Sequence, residues 1–136
     1  MENIVELTAE EVGVIEEALE NYDKQFIRFP RKGCLSLGIK DKSGQLIAGL
    51  DATMTAFQIL YVSTVFVAES HRRKGLGRRL MAELEKRAKS LGANTIRLDT
   101  FDWQGRAFYK ALGYEEVGSY CHHEDGYSEH FFVKFI

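Results

Sequence analysis

Residues 71–79 read His-Arg-Arg-Lys-Gly-Leu-Gly-Arg-Arg, so Gly75 and Gly77 stand among five Lys and Arg side chains. An apolar, β-branched run from Val62 to Ala68 leads into this segment, and an amphipathic run from Leu76 to Leu91 follows it. The order predicts a strand, a glycine turn and a helix. At such a junction the first helical N–H groups have no intrahelical acceptor and stand at the positive end of the helix dipole. Glycine there admits positive φ and removes side chains that would hold a ligand off the backbone. The chemistry this predicts is capture of a phosphate-bearing ligand at residues 72–79. The alternative is a solvated basic turn, which the strand before it and the helix after it disfavour.

Two kinds of phosphate loop do not fit. No G-x-x-x-x-G-K-[ST] occurs, so a Walker nucleotide site is not expected. A dinucleotide fingerprint G-x-G-x-x-G starting at Gly75 would need glycine where Leu80 stands. What remains is [Q/R]-x-x-G-x-G, filled by Arg72, Gly75 and Gly77.

The elements that must position this loop follow from periodicity and punctuation. Asn3 to Leu7 reads as a short first strand. Thr8-Ala9-Glu10-Glu11 is a capping box, and Val12, Ile15, Leu19 and Tyr22 recur at helical spacing, predicting a helix over 8–22. Tyr22 to Gly33 is irregular and holds the only proline, Pro30; it reads as a packed connection or a loop covering a ligand. Strands are predicted over 34–40, 45–57 and 59–68, the first two joined by the turn Asp41-Lys42-Ser43-Gly44. Short turns make these three antiparallel neighbours. Leu76, Leu80, Leu84, Ala88 and Leu91 form the apolar stripe of the helix after the loop, with Glu83–Arg87 and Glu85–Lys89 as pairs on its other side. A strand at 95–100 is expected to run parallel to residues 62–68. A short helix at 104–112 and a closing hairpin, 114–121 with 129–135, complete an α+β chain with a mixed sheet.

With 136 residues, 45% hydrophobic and 28% charged, the chain is expected to form a single domain over 1–136. Its net charge of −2 confines the basic character to the loop and argues against a nucleic-acid partner. No run approaches about 18 apolar residues, so no membrane span is expected. The start lacks a basic n-region, and Cys34 and Cys121 form no spacing motif; both fit a cytoplasmic protein with reduced thiols.

Arg72-x-x-Gly75-x-Gly77 resembles the coenzyme A pyrophosphate loop of the GNAT superfamily of N-acetyltransferases. Phe108-Tyr109-Lys110-Ala111-Leu112-Gly113-Tyr114 is similar to the family's second signature, F-Y-x-x-x-G-[FY], and falls in the same place in the element order. The resemblance covers residues 60–118. It implies a mixed, mostly antiparallel sheet of about seven strands flanked by helices, with one parallel pair splayed to hold coenzyme A. It implies acetyl transfer from acetyl-CoA to the primary amine of a small acceptor by direct attack, without a metal. By position, the Val65 N–H would meet the acetyl carbonyl and Val67 the pantetheine arm. Arg73, Gly75, Gly77 and Arg78 would hold the pyrophosphate, with Arg72 in place of the common glutamine and with Lys74, Leu76 and Phe108 in the same cofactor site. Tyr109 would serve the leaving sulfur as catalytic hydrogen donor, and a fixed N–H on the carbonyl oxygen stabilises developing charge, by about 2.7–4 kcal/mol in other enzymes.

Two positions depart from the family. Asp102 and Gly105 stand where many members carry N-x-x-A, leaving Gln104 as the candidate for the pantetheine contact. A glutamate often found four residues before the oxyanion residue is Tyr61 here, leaving Asp99, Asp51 and Glu69 as candidate bases. His122, His123 and His130, with Cys121, lack metal-ligand spacing and are expected at a solvated or substrate-facing hairpin tip. Phe101, Trp103 and Phe108 are expected in the core, with Trp103 able to line an acceptor pocket. Asp51, Asp99, Asp102, Glu124, Asp125 and Glu129 favour a small cationic acceptor. Expected partners are acetyl-CoA and that amine, with a homodimer possible. The alternatives are a coenzyme A-binding module without catalysis and a protein or peptide N-acetyltransferase.

Overall fold

A computed structural model describes residues 1–28 and 31–136; Phe29 and Pro30, within the irregular segment expected at 22–33, lie outside the described residues. The chain forms two compact units, Met1–Pro30 and Arg31–Ile136.

The first unit is built on α1 (Ala9–Asp23). Thr8 accepts a hydrogen bond from the Glu11 N–H and Glu11 accepts one from the Thr8 N–H, the reciprocal cap expected from the sequence. The strand expected at 3–7 is not formed: residues 1–8 carry no regular structure. A strand needs a partner ladder, and no described residue of this unit supplies one. The sheet therefore has six strands rather than about seven.

The second unit contains β1 (Cys34–Lys40), β2 (Leu46–Met54), β3 (Ile59–Val67), α2 (Leu76–Ser90), β4 (Thr95–Phe101), α3 (Arg106–Ala111), β5 (Glu115–Cys121) and β6 (Ser128–Phe135). The sheet order is β1-β2-β3-β4-β6-β5. Every neighbouring pair is antiparallel except β3 with β4. The Asp41 carboxylate accepts the Ser43 and Gln45 N–H groups and fixes the β1–β2 turn. β2 stops at Met54, short of the expected Phe57, because Phe57 and Gln58 take positive φ to reverse the chain.

Alternation along each strand sets two faces. Ala48, Leu50, Ala52 and Met54 of β2, Leu60 and Val62 of β3, Ile96 and Leu98 of β4, and Phe132 of β6 are buried with Leu80, Met81, Leu84 and Ala88 of α2. Each fully covered Leu, Ile or Phe contributes about 1.5–3 kcal/mol by leaving water. This layer holds α2 against β1, β2 and β3. One expected surface pair is replaced: Arg87 Nε does donate to Glu83 at 2.9 Å, but Glu85 pairs with Lys134 of β6 instead of Lys89.

The parallel pairing is short. It begins at Ile59 with Thr95 and ends at Val62 with Leu98. β3 continues to Val67 along β2, and β4 continues to Phe101 along β6. Beyond Val62 and Leu98 the two strands are no longer paired, and a fork opens in the middle of the sheet.

Candidate active site

The fork exposes backbone on one of its prongs. Ala68 donates its N–H to the Ile47 carbonyl at 2.8 Å, so Ala68 faces β2. Backbone groups alternate sides along an antiparallel ladder, so Phe66 and Thr64 also face β2 while Val67 and Val65 face the fork. Arg72 bears this out, since its Nε donates to the Val67 carbonyl at 2.9 Å.

The glycine loop lies at the end of this prong. A short 3₁₀ turn, Glu69–His71, leads to Arg73, which takes φ 62, and to Gly75, which takes φ 80 and caps α2 without any side-chain hydrogen bond. Arg79 is the first residue to donate back into the helix, to the Gly75 carbonyl. The N–H groups of Leu76, Gly77 and Arg78 are left with the positive helix end. The two glycines serve different ends. A side chain at Gly75 would meet nothing within 4 Å, and its positive φ is what requires glycine. A Cβ at Gly77 would sit 3.1 Å from Phe108 Cζ, so its bareness lets α3 pack against the start of α2.

α3 delivers Tyr109 to the other side of the fork. Its approach is set by the β4–α3 turn, where Phe101 donates its N–H to Gln104 Oε1 at 2.7 Å and Gly105 donates to Thr100 Oγ1 at 3.1 Å. Tyr109 is buried, between Phe108, Tyr114 and Phe132. Burial, and then the charge of Asp99, push its phenol up to about 12. A phenol held that high stays protonated at neutral pH, so its O–H remains available as a hydrogen-bond donor and gives up its proton reluctantly.

These parts enclose one cavity of about 960 Å³. Val65, Val67, Arg72, Arg73, Gly75, Leu76, Gly77, Arg78, Gln104, Phe108 and Tyr109 line it, together with Asp99, Thr100 and Trp103. Of the residues singled out from the sequence, Lys74 of the cofactor set and Asp51 and Glu69 of the candidate bases lie outside this lining. The exposed Arg72, Arg73, Lys74 and Arg78 have no ion-pair partner among the described residues, which leaves the mouth strongly cationic. Thr100 escaped the sequence reading; only its alternate position on β4, beside the second signature, could have indicated it. Trp103 corrects an expectation of core packing. It is 66% exposed and stacks on Phe101 with ring centroids 5.0 Å apart, because it follows the last strand residue and projects from the turn.

A second correction concerns His130. It is not at the hairpin tip but 4% exposed on β6, opposite Thr100, on the face that packs toward α2. Its Nε2 lies 2.6 Å from Asp102 Oδ1, while Asp102 Oδ2 accepts the Ser128 N–H at 2.6 Å. The hydrogen bond from His130, and then that from Ser128, hold the Asp102 carboxyl below its usual range. His130 Nδ1 lies 3.1 Å from Glu116 Oε1, and Glu116 takes two hydrogen bonds from Arg106 at the start of α3. This cluster ties β5 and β6 to the turn that aims Tyr109. His122 instead stacks on Tyr127, 5.0 Å away, at the tip. No group of three or more His, Cys, Asp or Glu among the described residues is arranged to hold a metal ion.

The opened backbone of β3, the cationic start of α2 and the Tyr109 phenol of α3 thus face one cavity and form the candidate site. The model of the family described as Acetyltransferase (GNAT) family matches residues 1–114. The blasticidin-S acetyltransferase of Streptomyces morookaense is 34% identical over 92 residues, 67% of each chain. The crystal structure of an acetyltransferase from Bacillus cereus superposes with a TM-score of 0.89 at 33% identity, covering 99% of this chain and 98% of that one. A structure from Bacillus anthracis in complex with acetyl coenzyme A shares the fold at 18% identity, with a TM-score of 0.65 and coverage of 83% of this chain and 67% of that one. The chain belongs to the GNAT family and is an acetyltransferase. Its fold is the α+β architecture expected for that family, with a mixed six-stranded sheet. No helix among the described residues is long and apolar enough to cross a membrane.

Proposed function

We propose that this acetyltransferase moves the acetyl group of acetyl-CoA to the primary amine of a small acceptor by direct attack, with both substrates bound together. The observation that carries this reading is the fork, where β3 has left β4 and the Val65 and Val67 backbone, with the Val67 carbonyl held by Arg72, opens onto the same cavity as the α2 start and Tyr109. The Val65 N–H would stabilise the carbonyl oxygen as negative charge builds on it. Val67 would pair with the pantetheine arm, and the N–H groups at the start of α2 would bind the pyrophosphate, assisted by Arg72, Arg73 and Arg78. Gln104 Oε1 fastens the turn, and its amide Nε2, without a partner among the described residues, is left for the arm.

Tyr109 acts on the sulfur. With its phenol near 12, it supports the departing thiolate as a hydrogen-bond donor. Neither cysteine is needed, since amine attack on a thioester requires no covalent enzyme intermediate. The family match runs across both compact units, which supports one catalytic domain over 1–136.

The test has two parts. Acetyl-CoA is added to the protein and its melting temperature followed; a rise that saturates is expected. Free thiol release is then measured with ethylamine, 1,4-diaminobutane, L-ornithine and blasticidin S, the last chosen from the name of the Streptomyces relative. Amine-dependent thiol release supports the reading; no thermal shift overturns the cofactor, and a shift without turnover of any amine overturns the acceptor class.

A further inference from the structure

Asp99 is the first residue of β4 beyond the last parallel pair, Val62 with Leu98, so it stands at the crotch of the fork. Its neighbours Leu98 and Thr100 are buried on the face toward α2, and Asp99 points to the opposite face. It still lines the cavity that holds Val65 and Tyr109. The cavity therefore takes walls from both faces of the sheet and passes through it at the fork. Tyr61 of β3 donates its O–H to Asp99 Oδ2 at 3.0 Å. The Tyr61 ring is pinned in turn by the Arg97 guanidinium, 4.3 Å from its centroid. Asp99 Oδ1 has no hydrogen-bond partner, and no Lys or Arg pairs with Asp99, among the described residues. A half-buried carboxylate with one oxygen fixed and one free, facing the reacting centre, is an incomplete cation site.

We propose that Asp99, oriented by Tyr61, receives the acceptor's nitrogen as an ammonium ion and so selects cationic alkylamines over neutral ones of the same size. The inference rests on the acetyl-transfer reading above and deepens it. The ammonium docks on Oδ1 from the face opposite α2, while the thioester enters along β3 from the side of α2. One N–H proton passes by way of Asp99 to water, freeing the lone pair. The C–N bond forms at the carbonyl carbon, and the C–S bond breaks with its electron pair going to sulfur. The second nitrogen proton passes to the thiolate, beside the Tyr109 O–H, leaving a secondary amide and free coenzyme A.

The experiment compares two amines on the same two-carbon skeleton, ethylamine, a cation at pH 7.5, and 2,2,2-trifluoroethylamine, neutral at that pH. kcat/KM is measured for the native enzyme, Asp99→Asn and Tyr61→Phe. Asn keeps the shape and the acceptor for Tyr61 but loses the charge. Asp99→Asn is expected to cut kcat/KM for ethylamine about 100-fold and for trifluoroethylamine less than tenfold. Tyr61→Phe is expected to shift the same ratio in the same direction, by about threefold. Acetyl-CoA should raise the melting temperature of all three proteins equally. Equal losses on both amines would overturn the Asp99 proposal, because a merely structural role cannot distinguish their charges. Loss of the acetyl-CoA shift already in the native protein would instead overturn the cofactor reading; absence of native turnover with ethylamine would overturn the selection of alkylammonium ions by Asp99, and the acceptor class falls with it only if no amine of the panel reacts.

Discussion

The two walls of the fork are built from different material. The β3 wall and the start of α2 present main-chain groups: the outward prong at Val65 and Val67, and the free N–H groups after Gly75. The β4–α3 wall presents side chains, Asp99, Thr100 and Tyr109, each fixed by partners on other elements. A main-chain wall suits a ligand whose shape is constant, because it tolerates most substitutions except those that add bulk or alter φ. A side-chain wall is where chemistry and selectivity can be changed by single residues.

If that division holds, the largest effect on donor binding should come from a glycine. Gly77→Asp would bring a Cβ to about the 3.1 Å separation from Phe108 and set a carboxylate among the anion-binding N–H groups. Acetyl-CoA at a hundred times its native Kd should stabilise the native protein by about 2.7 kcal/mol and the variant by almost nothing. Equal thermal shifts in both would break the assignment of the main-chain wall to the donor.

Tyr109→Phe should do the reverse. Removing the O–H while keeping the ring leaves the packing against Phe108, Tyr114 and Phe132 intact. Turnover should fall about 100-fold with acetyl-CoA affinity unchanged, as expected for a group that acts on the leaving sulfur. A melting curve run alongside separates this from unfolding. Turnover within threefold of native, on a folded variant, would remove Tyr109 from the mechanism and leave water to meet the thiolate.

The smallest effect is expected from alkali, at the buried phenol of the side-chain wall. The Tyr109 phenol is raised from 10.0 to about 12 in the folded protein, and burial moves Tyr114 in the same direction. A raised phenol contributes stability that is whole below pH 10 and is lost as pH climbs from 10 toward 12, while the unfolded chain ionises first. At pH 11.5 the Tyr109 share of that loss is about 2 kcal/mol. The denaturant midpoint of Tyr109→Phe should therefore fall less between pH 9 and 11.5 than that of the native protein. Parallel declines would mean that the phenol is solvated in both states.

Much of the main-chain wall was legible in the sequence because its signals are local. The glycine spacing and the apolar stripe of α2 each act within a few residues, and the turn and helix they predict are formed. Even so, the sequence could not separate the reasons for the two glycines, since the one at 77 answers to Phe108, a residue 31 positions away. The side-chain wall was far less legible. Asp99 stood among equal candidates, Thr100 was overlooked, Trp103 was expected in the core with an acceptor pocket only as the alternative, and His130 was expected at a hairpin tip.

The sequence by itself determined most of the element types, the glycine loop between β3 and α2, and the family, because periodicity, capping and glycine chemistry are written within single segments. Only the tertiary structure decided that the first strand does not form, that the parallel pairing stops at Val62 and Leu98, and that His130 is buried against Asp102. Those outcomes depend on register across the sheet. A shift of one residue would send Asp99 to the α2 face and His130 to the other, and register is fixed by the summed packing of every strand against its neighbours rather than by any one of them.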